Sequence, residues 1–259
     1  MRNESVPLRW INLETSSYCN RRCVECIRNS HPDADVAGPW RERNFMPLET
    51  IQHVLEQAVE MGHPDWIGLT FYNEPLLDPR IVDIVIYVKS LGLKSCLLSN
   101  GDNLTVDLAR QLDGMLDVLM VSMYLEGQAR KQRRRTIKQS FEHTDVRFKP
   151  GIFGPSHYSP TFDLDALVKR NIDRPCLAPI QALHVNHRGE ACFCCADFAA
   201  NFDLGTVYDA SLWELWYGER RQQMMRDLLK PGGRRKYPFC STCPRRDRKL
   251  HENRIRTSP

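Results

Sequence analysis

Three cysteines crowd one short stretch, Cys19-Asn20-Arg21-Arg22-Cys23-Val24-Glu25-Cys26, just after an apolar run over 8–15. Thiolates at that spacing suit a metal. Structural zinc sites and ordinary iron–sulfur cubanes take four protein ligands, so a set of three leaves one coordination position for a group that is not protein. A second set is spread over the C-terminal part: Cys176, twelve residues to Gly189, four more to Cys194, then Cys240 and Cys243 with two residues between them. Four cysteines close a shell, and on spacing alone a structural zinc ribbon is as good a reading as a cluster. With ten cysteines and no signal-like N-terminus, thiols kept reduced for metal fit better than a disulfide framework.

The elements that must position these groups are read from periodicity. Strand-like runs fall at 8–15, 66–71, 94–98, 118–123 and 146–149. Between them, Leu48, Ile51, Val54, Leu55, Ala58 and Val59 recur at helical spacing from Pro47 to Gly62. Asp78-Pro79 is expected to cap a helix carrying Ile81, Ile84, Val85 and Val88, Thr105 caps one to Leu112, and 127–141 is a polar helix. Residues 28–45 read as an irregular excursion. Alternating strands and helices predict an α/β fold with parallel strands, right-handed crossovers and a ligand site at the carboxyl ends of the strands. After a Gly/Pro/Ser-rich junction at 151–175, Asn186-His187-Arg188-Gly189 signals a β-hairpin that carries Cys194 out on its second strand. Ser211 and Glu214 form a capping box for a helix running to Leu229, and 231–233 stop it.

Cys-x3-Cys-x2-Cys behind a first strand resembles the radical S-adenosylmethionine enzymes. The resemblance implies a [4Fe–4S] cluster on Cys19, Cys23 and Cys26, with S-adenosylmethionine chelating the remaining iron. Phe71-Tyr72-Asn73-Glu74-Pro75 is similar to the family's Gly-Gly-Glu-Pro segment, which binds the methionine amino group, so Glu74 and Asn73 are expected at the cofactor. Ser99-Asn100-Gly101-Asp102 looks like the family's Thr/Ser-Asn-Gly turn, and Ser122 matches the polar residue that reaches the cofactor's ribose or carboxylate. Two departures stand out: Glu25 replaces an aromatic residue that packs on adenine, and Asn73 replaces the second glycine. The second cysteine set resembles the SPASM extension of the same family, implying an auxiliary [4Fe–4S] cluster on Cys176, Cys194, Cys240 and Cys243. Lys249 and the absence of a later cysteine imply its shortened form, the twitch domain. The expected architecture is a partial, open parallel β/α barrel (1–150), the junction (151–175), and a small C-terminal iron–sulfur lobe of hairpin plus helix (176–259).

Composition narrows the alternatives. The chain of 259 residues is 42% hydrophobic and 26% charged with a net charge of +4, as in an ordinary globular protein, and has no run long enough to span a membrane. A cytoplasmic location follows as an expectation. The arginine run 130–135 lacks interleaved aromatics for base stacking, so it reads as a solvated helix face, as do the basic runs at 234–236 and 245–249; no nucleic-acid partner is expected.

The resemblance implies a radical oxidoreductase that removes a hydrogen atom from an unactivated carbon, its electron supplied by an external donor such as flavodoxin or ferredoxin. Within the family the short barrel and single auxiliary cluster are most similar to the aminocyclitol dehydrogenase type of butirosin biosynthesis, which oxidises a secondary alcohol. Lys149, at the end of strand five, is the candidate to bind or deprotonate that alcohol. A radical epimerase would instead return a hydrogen atom from a thiol, for which Cys195 is the candidate, with Cys96 and Cys192 also unassigned. A peptide-modifying radical enzyme and a non-enzymatic metal-binding interaction module complete the alternatives.

Overall fold

The computed structural model describes residues 5–62, 64–151 and 154–245; the end of the second basic run and Lys249 lie outside them. Five parallel strands follow the alternation read from the sequence: β1 (Trp10–Leu13), β2 (Trp66–Gly68), β3 (Ser95–Ser99), β4 (Val118–Met123) and β5 (Asp145–Pro150). The crossovers carry α1 (Ile27–Ser30), α2 (Ala34–Arg41), α3 (Leu48–Glu60), α4 (Ile81–Ser90), α5 (Val106–Leu112) and α6 (Gly127–Gln139). A helix α7 (Leu164–Asn171) crosses the junction, and the hairpin strands are β6 (Leu183–Val185) and β7 (Ala191–Cys192). Three helices follow: α8 (Leu212–Tyr217), α9 (Glu219–Leu228) and α10 (Pro238–Ser241).

The sheet order is β5-β4-β3-β2-β1-β6-β7, with only the β6–β7 pair antiparallel. The hairpin is therefore continuous with the barrel sheet. β6 pairs in parallel with β1 through Ile11–Leu183, Asn12–His184 and Leu13–Val185, which covers the edge that β1 would otherwise expose. β1 thus lies between β2 and β6, and the cysteine loop that follows it opens where barrel and hairpin meet. The apolar residues of α3 and α4 read at helical spacing, among them Ile51, Val54, Ile84 and Val88, pack on the inner strand residues Ile11, Ile67 and Leu97.

Four local expectations are corrected. The stretch 28–45 contains α1 and α2; Asp33 caps α2 by accepting from Asp35 N and Val36 N, and burial of Ala37 and Trp40 outweighs the helix-breaking Gly38-Pro39. Asp78 does not cap α4, whose N-cap is Arg80; Asp78 instead accepts from Arg80 N and pairs with its guanidinium. The helix expected from Leu212 to Leu229 is broken at Gly218, where an added Cβ would meet Glu214 O at 2.6 Å. β7 ends at Cys192, because the carboxylate of Asp197 accepts from Phe193 N and Asn201 N and turns the chain.

Trp40, Ile27 and Phe198 form a separate buried cluster, against which Phe71, Tyr72 and Tyr158 pack. It ties α1 and α2, beside the first cysteine set, to the loop after β7 that bears Cys194 of the second. Trp40 is fully buried, so Trp40→Ala is expected to cost about 3–5 kcal/mol in equilibrium urea denaturation, and a loss below about 1 kcal/mol would show that this cluster is not a structural tie.

Candidate active site

One cavity of about 920 Å³ lies at the carboxyl ends of the strands, and both cysteine sets line it. The loop after β1 brings Cys19, Cys23 and Cys26; the loops after β2 and β3 bring Asn73, Glu74, Ser99 and Asn100. The ends of β4 and β5 add Ser122 and Lys149, which stand opposite each other in register. Cys176, Cys194, Cys195, Cys240 and Cys243 close the far side. Every residue expected at the site is thus in one place.

The first loop is held by side chains rather than by regular structure. Arg21 grips the Asp102 carboxylate through Nε and Nη2 at 2.7 and 2.6 Å, and its guanidinium lies 4.0 Å over the Tyr124 ring. Asn20 donates to Asp102 and accepts from Asn100 Nδ2. Tyr124 Oη lies 3.9 Å from Cys23 Sγ, and Asn100 Nδ2 lies 4.0 Å from Cys19 Sγ. Burial pushes the Cys26 thiol up to about 11 and raises that of Cys19. These two thiols resist ionisation by themselves and are donors that a bound cation would deprotonate and stabilise.

Glu74 is buried, and its carboxylate accepts from Ser99 Oγ (2.6 Å), Leu76 N (3.1 Å) and Asn100 N (2.7 Å). Burial raises its pKa against the opposing effect of these bonds. Asn73 Oδ1 accepts from Phe71 N, while its buried Nδ2 has no partner among the described residues. An unmet donor on the wall fits a bound ligand with carboxylate or ribose oxygens. Glu25, where an aromatic residue was expected, turns to Thr161 N instead, and the neighbouring Phe162 lines the cavity.

In the second set Cys194 and Cys240 are buried, and Ala196 N donates to Cys194 Sγ at 3.4 Å. Burial pushes Cys240 up to about 12 and raises Cys194 and Cys243. Because β7 stops short, Cys194 and Cys195 do not alternate across a strand, and both reach the cavity. Cys195 Sγ accepts from Arg245 Nη1, and Tyr72 Oη donates to Cys195 O at 2.6 Å. Cys96 lines the cavity from β3 and is pushed up to about 12 by burial, whereas Cys192 is buried in the hairpin. Among the described residues, no three Cys, His, Asp or Glu side chains converge on one ion position.

Residues 13–145 match the family model of the radical SAM superfamily. The chain belongs to the radical SAM superfamily. Residues 176–244 of this radical SAM enzyme match SPASM, an iron–sulfur cluster-binding domain, and the two matches together imply S-adenosylmethionine and two iron–sulfur clusters. The chain is 26% identical over 117 residues to the tungsten-containing aldehyde ferredoxin oxidoreductase cofactor-modifying protein of Pyrococcus furiosus, covering 45% of this chain and 31% of that protein. It is 27% identical over 122 residues to an S-adenosylmethionine-dependent nucleotide dehydratase of Flammeovirga pacifica, covering 47% of this chain and 39% of that protein. The matches thus span well under half the length of these curated relatives. In fold it is similar to BtrN solved with AdoMet and 2-DOIA, at 19% identity and a TM-score of 0.72, covering 91% of this chain and 92% of BtrN. It is also similar to Streptococcus suis SuiB bound to its precursor peptide SuiA, at 12% identity and a TM-score of 0.56, covering 90% of this chain and 71% of SuiB. Among the described residues no helix is long and apolar enough to cross a membrane.

Sequence reading missed Glu14, Tyr72, Tyr124 and Arg245. Tyr72 stands inside an expected segment and Tyr124 directly after β4, but nothing in the pattern distinguishes them from packing aromatics. Anaerobic reconstitution is expected to yield roughly eight irons and eight sulfides per chain, and changing Cys19, Cys23 and Cys26 together to Ala should halve both. Zinc near one per chain beside a single cubane would contradict the assignment of the second set.

Proposed function

We propose that the enzyme is a radical S-adenosylmethionine dehydrogenase acting on a secondary alcohol of a polar, sugar-like or aminocyclitol metabolite. The observation that carries this reading is that both cysteine sets line one cavity with Lys149 and Ser122 between the strand ends. Cys19, Cys23 and Cys26 hold the first cluster, and Cys176, Cys194, Cys240 and Cys243 hold the second. When bound, the first cluster and S-adenosylmethionine would supply the chemistry that removes a hydrogen atom from the substrate.

The chain's own residues bind and orient. Glu74 receives the cofactor's ammonium, positioned for it by Ser99 and Asn100; Asn73 and Ser122 meet its oxygens; and Phe162 offers the aromatic face that position 25 lacks. Lys149 binds the substrate hydroxyl and takes its proton. A single-electron carrier of the flavodoxin or ferredoxin type would supply the electron for the first site. Residues 1–150 and 176–259 act as the radical and auxiliary units, joined by 151–175. Cys195 decides between oxidation and epimerisation: its sulfur is already engaged by Arg245, which favours oxidation over return of a hydrogen atom.

Glu74→Gln is expected to weaken S-adenosylmethionine binding about tenfold or more with both clusters retained, since a carboxylate holds an ammonium more strongly than an amide does. In the parent, affinity should fall as pH drops through the Glu74 pKa, and at a higher pH than for an exposed carboxylate, because burial raises that pKa and protonation removes the charge that binds. Calorimetry showing unchanged affinity in the variant would place the ammonium elsewhere. With an alcohol substrate in deuterated water, Cys195→Ala should stay active and the product should carry no solvent deuterium at carbon. Deuterium incorporation that vanishes in the variant would establish an epimerase.

A further inference from the structure

The two cysteine sets differ in the charges built around them. Beside the first set lie one buried cation, Arg28, and one buried anion, Glu74. Around the second set the balance is cationic. Arg221 on α9 is buried between the rings of Phe193 and Trp216, its guanidinium carbon 5.4 and 4.6 Å from their centres. It donates to the carbonyl oxygens of Ala182, Cys192 and Phe193, on the two strands' approach to Cys194. Among the described residues Arg221 forms no ion pair with a carboxylate, and its buried Nε has no partner. Arg245 reaches Cys195 Sγ, beside the Cys194 position. A guanidinium taken out of water among carbonyls is costly unless negative charge stands nearby. Of the buried carboxylates in this lobe, Asp197 is already committed to backbone donors and Asp227 to Lys236 and Tyr237.

We propose that Arg221, in the core, and Arg245, at the cavity wall, form a cationic cradle that offsets the negative charge of the second cluster and raises its affinity for one further electron. The inference rests on the dehydrogenase reading for its purpose. There, the alcohol carbon first loses a hydrogen atom; the carbon radical left behind then becomes a ketone by giving one electron to the second site and its hydroxyl proton to Lys149. The oxidised form of the external carrier, left after it has given one electron to the first site, takes that electron back. Charge held at short range in a dry site acts on the reduced state more than on the oxidised state, because the reduced cluster carries one more negative charge.

The test is a potentiometric titration of the second cluster, followed by electron paramagnetic resonance, in full-length chain with Cys19, Cys23 and Cys26 changed to Ala so that one cluster is read. Arg221→Gln and Arg245→Gln should each lower the equilibrium constant for electron uptake at least tenfold, which is about 59 mV toward negative potential. Arg245→Lys, which keeps the charge, should restore most of that shift at unchanged iron and sulfide content. If Arg221→Gln does not hold its cluster, the Arg245 pair decides alone, since that side chain sits at the cavity wall rather than in the core. Potentials unchanged in Arg245→Gln, or moved equally by Lys and Gln, would overturn the cradle. No substrate enters this measurement, so the cradle and the dehydrogenase reading can fail separately.

Discussion

The architecture depends on a carboxylate with no access to water. Glu14, at the end of β1, is fully buried, and its oxygens accept from His187 N (3.1 Å), His187 Nδ1 (2.9 Å) and Tyr72 N (3.0 Å). A buried carboxylate is tolerated when such donors replace its water, and the same bonds fix whatever carries the donors. Here one donor residue is in the hairpin turn and the other in the segment after β2. The hairpin, the cofactor segment and the strand that launches the cysteine loop are thereby pinned to one point. That is why two cysteine sets separated by more than half the chain line the same cavity.

Packing extends this polar tie. Trp40 meets the His187 ring edge-on at 5.2 Å and carries the Arg188 guanidinium on its face at 4.7 Å. Phe198 lies 4.6 Å from Trp40 and 5.7 Å from Tyr72, whose hydroxyl donates to the backbone at Cys195. Ridged contacts of this kind leave few alternative arrangements, so the relation between the two sites is set by the fold and not by a flexible linker.

Much of this was legible in the sequence because its signals are local. The alternation of strands and helices, the cysteine spacings, the Asn186–Gly189 turn and the Ser211–Glu214 capping box each depend on a few neighbouring residues, and the hairpin and capping box formed as expected. What stayed hidden depends on contacts remote in sequence. Pro39 disguised α2, whose stability comes from Trp40 packing on Phe198. Asp197 ended β7 early by accepting backbone bonds that no strand pattern encodes. Glu14 looked like a polar residue at a strand end, and Arg221 like one more charge on an amphipathic helix. Only the fold shows both to be buried.

The central claim is that the three-cysteine loop serves a cofactor-cleaving site and not a closed structural metal. Anaerobically reconstituted protein treated with S-adenosylmethionine and dithionite, and assayed by chromatography, tests it most directly. The account predicts steady formation of 5′-deoxyadenosine and methionine that requires the reductant. Intact S-adenosylmethionine over protein carrying its full complement of iron and sulfide would contradict it.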